Sequence, residues 1–317
     1  MAQHFLLSSA SRSLSLAKVA RMSDEEAHDA FRQIRWCDTG GEPVCPRCSC
    51  NAVYTNHTSK LNMCKACINQ FSVTSGTIFA SRKLAIRDYL LAIAIFANGA
   101  KGYAALQLSR DLDVQYKTAF VLAHKLREAL TADISDMKLE GTVEVDGGYF
   151  GGHIRPANYK ENRVDRRKAV NQTGKRRVVV VMRERNGRTL PFVFKTEGAS
   201  IPTILDRVSA NATVHADEAT HWDALHTFFK IKRINHEWAY SDEGACTNQA
   251  ESFFSRLRRA EIGTHHHVAG PYLHAYAAEM AWREDNRRTS NGEQFLAISS
   301  AALSSPVSQK WKGYWQK

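Results

Sequence analysis

Residues 142–152 read TVEVDGGYFGG. Val143 and Val145 alternate with Thr142, Glu144 and Asp146, the two-residue period of a strand with a face against a core. Two glycines, the aromatic pair Tyr149-Phe150 and two more glycines follow. The expected product is a core strand that presents one carboxylate, Asp146, at a sheet edge and then turns sharply.

Downstream of this strand the pattern stays mixed. Residues 178–184 read as a second strand, and Asn186-Gly187 as a tight hairpin into a third over 189–195. A helix over 201–209 leads to a strand over 212–216, which hands the chain to Asp217. A helix over 221–229, a fifth strand over 231–235 and helices over 247–260 and 272–288 complete the pattern. Three antiparallel strands followed by alternating helices and strands make an α/β mixed sheet of ribonuclease H type.

Asp146 and Asp217 end strands, and Glu251 falls near the start of the next helix. Carboxylates on separate elements suit Mg²⁺ (or Mn²⁺), which prefers oxygen ligands and keeps some waters. Two such ions about 3.5–4 Å apart serve both the attacking and the leaving oxygen of a phosphodiester. Asn248 stands three residues before Glu251 on the same helix face, so either is a candidate third member. Helix capping by Asn248 and a dipole-favoured Glu251 are the plain structural alternatives. Glu144 shares the face of Asp146 as a possible fourth oxygen or a salt-bridged acid, and His215 reads as a satisfied core histidine. His265-His266-His267 suits a metal chelate or a DNA-facing loop.

Upstream, Cys45 and Cys48 form one C-x-x-C pair, and Cys64 and Cys67, fifteen residues on, form another. This is zinc-ribbon spacing: each knuckle brings two thiolates to one tetrahedral Zn²⁺, which supplies folding energy that so small a module lacks. Cys50 is a poorer-spaced rival of Cys48, and Cys37 and Cys246 read as buried thiols. Seven cysteines, an odd number crowded towards the N-terminus, favour metal binding in a reducing compartment over disulfides. The expected location is a bacterial cytoplasm, in association with the nucleoid. Ser23 and Glu26 make a capping box for a helix over 24–35, and the segment before it suits a short helix. Helices over 84–98, 103–112 and 115–130, the last two joined by a tight turn, match a helix-turn-helix with Lys117 at the start of its reading helix. A plain helical bundle has the same pattern.

The chain has 317 residues and a net charge of +11. That excess favours a polyanionic partner, double-stranded DNA first. Residues 153–177 hold nine basic residues against two acids. Arg166, Arg167, Lys168, Lys175, Arg176 and Arg177 in this run, with Arg258 and Arg259, are the expected phosphate contacts. Arg256 extends this surface from the same helix, and Arg283, Asn286, Arg287 and Arg288 add a later helical cluster. A solvated charge run is the plain alternative. No apolar run approaches the roughly 20 residues of a membrane span. The divisions are an N-terminal helical segment (1–40), a zinc ribbon (41–75), a helix-turn-helix-like segment (82–132), a catalytic domain (140–292) and a C-terminal tail (293–317).

VEVDGGYFGG, VHADEATHW, TNQAESFFSRLRRAEIGTHHHV and AEMAWREDNRR, with EPVCPRC and CKAC upstream, resemble the DDE transposases of bacterial insertion sequences that carry an N-terminal zinc ribbon, the ISXO-type group. The resemblance implies a ribonuclease H-like catalytic domain, Mg²⁺ dependence, and cut-and-insert chemistry at terminal inverted repeats, by a homo-oligomer on DNA. Two positions depart from the family pattern. Gly147 stands where an acid usually follows the first Asp, and strand alternation turns that position away from Asp146. Arg258 stands where a Lys usually lies two turns after the Glu. A DNA-binding regulator without activity and a structure-specific nuclease are the rival functions.

Overall fold

The computed structural model describes residues 5–56, 58–132, 137–152, 155–165, 168–171, 173–235, 239, 241 and 244–316. The chain divides into two compact units, Met1–Asp133 with Asn286–Lys317, and Ile134–Asp285.

The first unit is helical around a small sheet. Its elements are α1 (Leu16–Ala20), α2 (Asp24–Arg35), β1 (Val53–Asn56), β2 (Leu61–Cys64), β3 (Gln70–Phe71), α3 (Ile86–Asn98), α4 (Ala105–Asp111) and α5 (Tyr116–Ala132). The capping box forms: Ser23 Oγ accepts the Glu26 N–H at 3.2 Å, and Glu26 Oε2 accepts the Ser23 N–H at 2.8 Å. The amphipathic α2 buries Ala27 and Phe31, and α3 is buried nearly all round. Asp113, with φ +50°, makes the tight turn between α4 and α5. Residues 293–317, set apart by sequence as a tail, fold into this unit. Their helix Asn291–Ser304, α9 in chain order, packs on α2, α3 and α5. Trp311 then stacks on His124 at 4.5 Å.

The second unit has five strands: β4 (Thr142–Phe150), β5 (Arg177–Glu184), β6 (Thr189–Phe194), β7 (Thr213–Asp217) and β8 (Lys230–Ile234). Their order across the sheet is β6-β5-β4-β7-β8. β5 is antiparallel to β4 and to β6, while β7 is parallel to β4 and to β8. The valine run of β5 needs apolar cover on both sides, and receives it. Val178, Val180 and Met182 join Val143, Val145, Val214 and Trp222 in one core with α6 (Ile201–Arg207). Val179 and Val181 face α7 (Asn248–Ala260) and α8 (Leu273–Asp285), packing with Phe150, Phe253 and Met280. The segment expected as a helix over 221–229 is a 3₁₀ helix, Thr220–Thr227. Among the described residues no helix is long and apolar enough to cross a membrane.

Candidate active site

Asp146 lies in β4 at the centre of the sheet. The parallel pairing of β4 and β7 runs Thr142 with Thr213, Val143 with Val214 and Glu144 with His215. Asp146 and Asp217 each stand two places past the last pair of this register, and the Asp217 charge reaches Asp146. Because Val143, Val145, Val214 and Ala216 take one face, alternation turns Glu144, Asp146, His215 and Asp217 towards the other, where α7 lies.

Glu144 holds α7 there. Its side chain is fully buried, and Oε2 accepts the N–H groups of Gln249 (2.8 Å) and Ala250 (3.1 Å). These are N–H groups of the helix's first turn, which the preceding Thr247 side chain does not cap. Capping thus comes from the neighbouring strand, and Asn248 is the first helical residue. Arg185 Nε donates to Glu144 Oε1 at 2.9 Å, and its Nη2 reaches His215 Nδ1 at 3.1 Å and Cys246 Sγ at 2.6 Å. His215 is the buried, bonded histidine its pattern suggested. Cys246 is half-buried within this network, whereas Cys37 is exposed rather than buried.

The approach of α7 is close because Gly148 lacks a side chain: a Cβ there would stand 2.6 Å from the Phe254 ring. Asn248, Glu251 and Arg258 all lie on the exposed side of the helix, at spacings of three and seven residues. Glu251 acts electrostatically on Asp146. Asp217 is held by its own backbone: Oδ1 accepts the Ala219 N–H at 3.2 Å, and Arg233 donates to the carbonyls of Asp217 (2.5 Å) and Ala219 (2.7 Å).

Burial is the largest influence on Asp146, and the charges of Asp217, Glu251 and Glu197 add to it. Together they outweigh the hydrogen bond from the Gly147 N–H and push the Asp146 pKa up to about 7. The folded protein therefore holds a proton that the unfolded chain releases near pH 4. Without a cation at this site, stability falls as pH rises from about 4 to 7. Thermal melts of the zinc-loaded protein in Mg²⁺-free buffer check this. Asp146→Asn is expected to match wild type near pH 4.5 and to melt higher than wild type at pH 8.

The charges of Asp217, Glu251 and Glu197 all reach Asp146, and carboxylate oxygens are the hard ligands that Mg²⁺ or Mn²⁺ prefers. Asp146, Asp217 and Glu251 do not close to within 4.8 Å of one another as the ribbon cysteines do. Sequence patterning missed Glu197, which lies past the end of β6 with no strand-end signal. It also missed Arg185 and Arg233, whose roles come from strand pairing.

A groove of about 1270 Å³ adjoins the end of β4, lined by Tyr149, Gly151, Gly152, Lys175, Arg176, Arg177, His266 and His267 among others. Arg176 lies 4.2 Å above the Tyr149 ring. Lys168 is exposed, and Arg166 and Arg167 lie outside the described residues. Arg259 turns back to Ser255 on its own helix. Two further arginines of the expected basic surface are committed elsewhere: Arg256 pairs with Glu284 at 2.8 Å, and Arg283 is buried against Glu279. The three histidines belong to no metal cluster among the described residues.

In the first unit the sulfurs of Cys45, Cys48, Cys64 and Cys67 all lie within 4.8 Å of one another. Three of the separations are 3.4–3.6 Å, close to the roughly 3.8 Å expected for four thiolates at 2.3 Å from one Zn²⁺. N–H groups of the knuckle, that of Cys67 foremost, lower the pKa of Cys64, which favours the thiolate that zinc needs. Cys50 Sγ instead takes the Ala52 N–H at 3.4 Å. Cys48→Ser is expected to lose bound zinc and Cys50→Ser to retain it, as measured by metal content per chain. Lys117, exposed at the start of α5, sits with its Nζ 5.2 Å from the Trp315 ring.

Residues 138–285 match the ISXO2-like transposase domain and residues 22–70 the transposase zinc-ribbon domain. By these matches the second unit carries an ISXO2-like transposase domain and the first a transposase zinc ribbon. The chain is also similar to an uncharacterized protein in transposable element ISH50 of Halobacterium salinarum, with 24% identity over 297 residues, 89% of this chain and 98% of that protein. No solved structure matches the chain. The transposase-domain match spans the unit that carries Asp146, Asp217 and Glu251, and the ribbon match takes in all four clustered cysteines.

Proposed function

We propose that this transposase cuts and joins DNA at the terminal inverted repeats of its own insertion element, using Mg²⁺ (or Mn²⁺) held by Asp146, Asp217 and Glu251. The observation that carries this reading is the register of β4 and β7. It leads two aspartates to the ends of neighbouring strands, on the face over which Glu144 fastens the helix bearing Glu251. The strand order, with only β5 running against the other strands around β4, accords with a ribonuclease H-like domain and supports the same reading.

When bound, divalent cations would polarise the scissile phosphate and lower the pKa of the attacking water or 3′-OH. The chain's own groups prepare for that. Asp146 surrenders its proton on cation binding. Glu251 is preferred to Asn248 as the third ligand, because an anion holds Mg²⁺ more tightly than a neutral amide. Asn248, one turn earlier on the same exposed stripe, then contacts the DNA strand. Arg258, two turns beyond Glu251, grips a phosphate with a planar fork where the family's Lys offers a point charge. Lys175, Arg176 and Arg177 receive the backbone of the strand leaving Asp146. Lys168, Arg259, Lys117, Arg166 and Arg167 add to the basic surface. The zinc ribbon and the helices around α5 bind the terminal repeats, and a homo-oligomer joins two ends.

The test is strand transfer of a labelled repeat end into plasmid DNA, with and without Mg²⁺. Joined product that requires Mg²⁺ and the repeat sequence is expected. Binding of the ends without cutting or joining would make the protein a regulator; cutting without joining, indifferent to end sequence, would make it a nuclease. Replacing Lys175, Arg176 and Arg177 together by Gln is expected to flatten the salt dependence of binding by about two to three phosphate equivalents, read from affinities across a salt series.

A further inference from the structure

Glu197 opens a 3₁₀ turn, Glu197–Ser200, after β6. Its carboxylate lies against Gly147: an ideal Cβ on Gly147 would stand 2.2 Å from Glu197 Oε1 and 2.8 Å from the carboxyl carbon. On the other side of the same residue, the Gly147 N–H donates to Asp146 Oδ1 at 2.7 Å. The two carboxylates thus flank one glycine from opposite faces of the sheet, and the bare Cα lets Glu197 come this near. The Glu197 side chain is only 16% exposed, and its Oε2 stands 3.3 Å from His221 Nε2. It also exchanges a hydrogen bond with Tyr149 and is in electrostatic range of Asp217.

We infer that Glu197 is a fourth carboxylate of the divalent-cation site, supplying an oxygen from the side of the sheet opposite Asp146 and occupying the space that a side chain on residue 147 would fill. The inference rests on Asp146 and Asp217 being cation ligands. A pairing with His221 alone gives no reason for a carboxylate to crowd two others, since like charges at this range repel unless a cation lies among them.

Mn²⁺ binding to the full-length, zinc-saturated protein, followed by electron paramagnetic resonance, tests it. Glu197→Gln keeps the shape and hydrogen-bonding capacity of the side chain and removes its charge. It is expected to weaken Mn²⁺ binding about tenfold or more, without lowering the melting temperature in Mn²⁺-free buffer. The double variant Glu197→Ala/Gly147→Asp moves the carboxylate to the strand. Gly147 has no left-handed φ and Glu197 is its nearest obstruction, so the double variant is expected to fold and to recover binding. A Glu197→Gln isotherm matching wild type overturns the inference, and so does a folded double variant that stays weak. Wild type and Asp146→Asn binding Mn²⁺ equally would instead overturn the underlying assignment of Asp146.

Discussion

Asp146→Asn is expected to abolish strand cleavage and joining, lowering both rates by more than about a thousandfold, while leaving binding to repeat DNA within about twofold of wild type. The size follows from losing a metal ligand at a reacting phosphate. Such charge stabilisation is worth several kcal/mol, and each 1.4 kcal/mol is about tenfold in rate. The substitution suits the purpose because Asn keeps the volume of Asp and an oxygen to accept the Gly147 N–H, now at 2.7 Å. It removes a group whose ionisation the surroundings already resist, so the fold loses nothing. In the proposed reading DNA affinity resides in the basic groove and the first unit, which the change does not touch. Cleavage of a labelled end and a mobility shift on the same preparation separate the two effects. A variant that cuts within tenfold of wild type would remove Asp146 from the chemistry.

Glu144→Ala is expected to be the most destabilising single change in the second unit, by about 3 kcal/mol, read from denaturant unfolding. A fully buried carboxylate there satisfies two N–H groups at the start of α7 and the Arg185 guanidinium. Alanine leaves all three without it. Breaking a buried pair typically costs about 3–5 kcal/mol; the lower end applies because the Arg185 side chain is 29% exposed and water takes up part of its loss. Glu144→Gln keeps an acceptor for the helix but not the charge for Arg185, and is expected to fall between. The effect reaches the chemistry too. Glu251 lies on the first turn that Glu144 fastens, so cleavage drops in the surviving folded protein. A Glu144→Ala protein as stable as wild type would mean that α7 is held by its apolar face alone.

Features whose cause is local were legible in the sequence. The Ser23–Glu26 box, the Asn186-Gly187 hairpin, the two cysteine knuckles and the alternation leading to Asp146 each depend on a few neighbouring residues. The strand leading to Asp217 and the helix carrying Asn248 and Glu251 could be read for the same reason. What depended on pairing could not be. The valine run of β5 carries no facing signal, because each of its sides is apolar. The place of Glu144 beneath α7 exists only once β4 and α7 meet. Glu197 reaches Gly147 from a turn some fifty residues away in sequence, so neither periodicity nor spacing marks it. The basic surface was overdrawn around Arg256 and Arg283 because charge counting does not see the buried acids, Glu284 and Glu279, that hold them.

Anomalous diffraction from crystals of the zinc-loaded protein grown in Mn²⁺ tests the central claim most directly. The expected map has manganese density bounded by Asp146 and Asp217, with Glu251 reaching it from α7, and zinc density among Cys45, Cys48, Cys64 and Cys67. Zinc density at the cysteines, with no manganese beside Asp146 and Asp217 at saturating Mn²⁺, would contradict it.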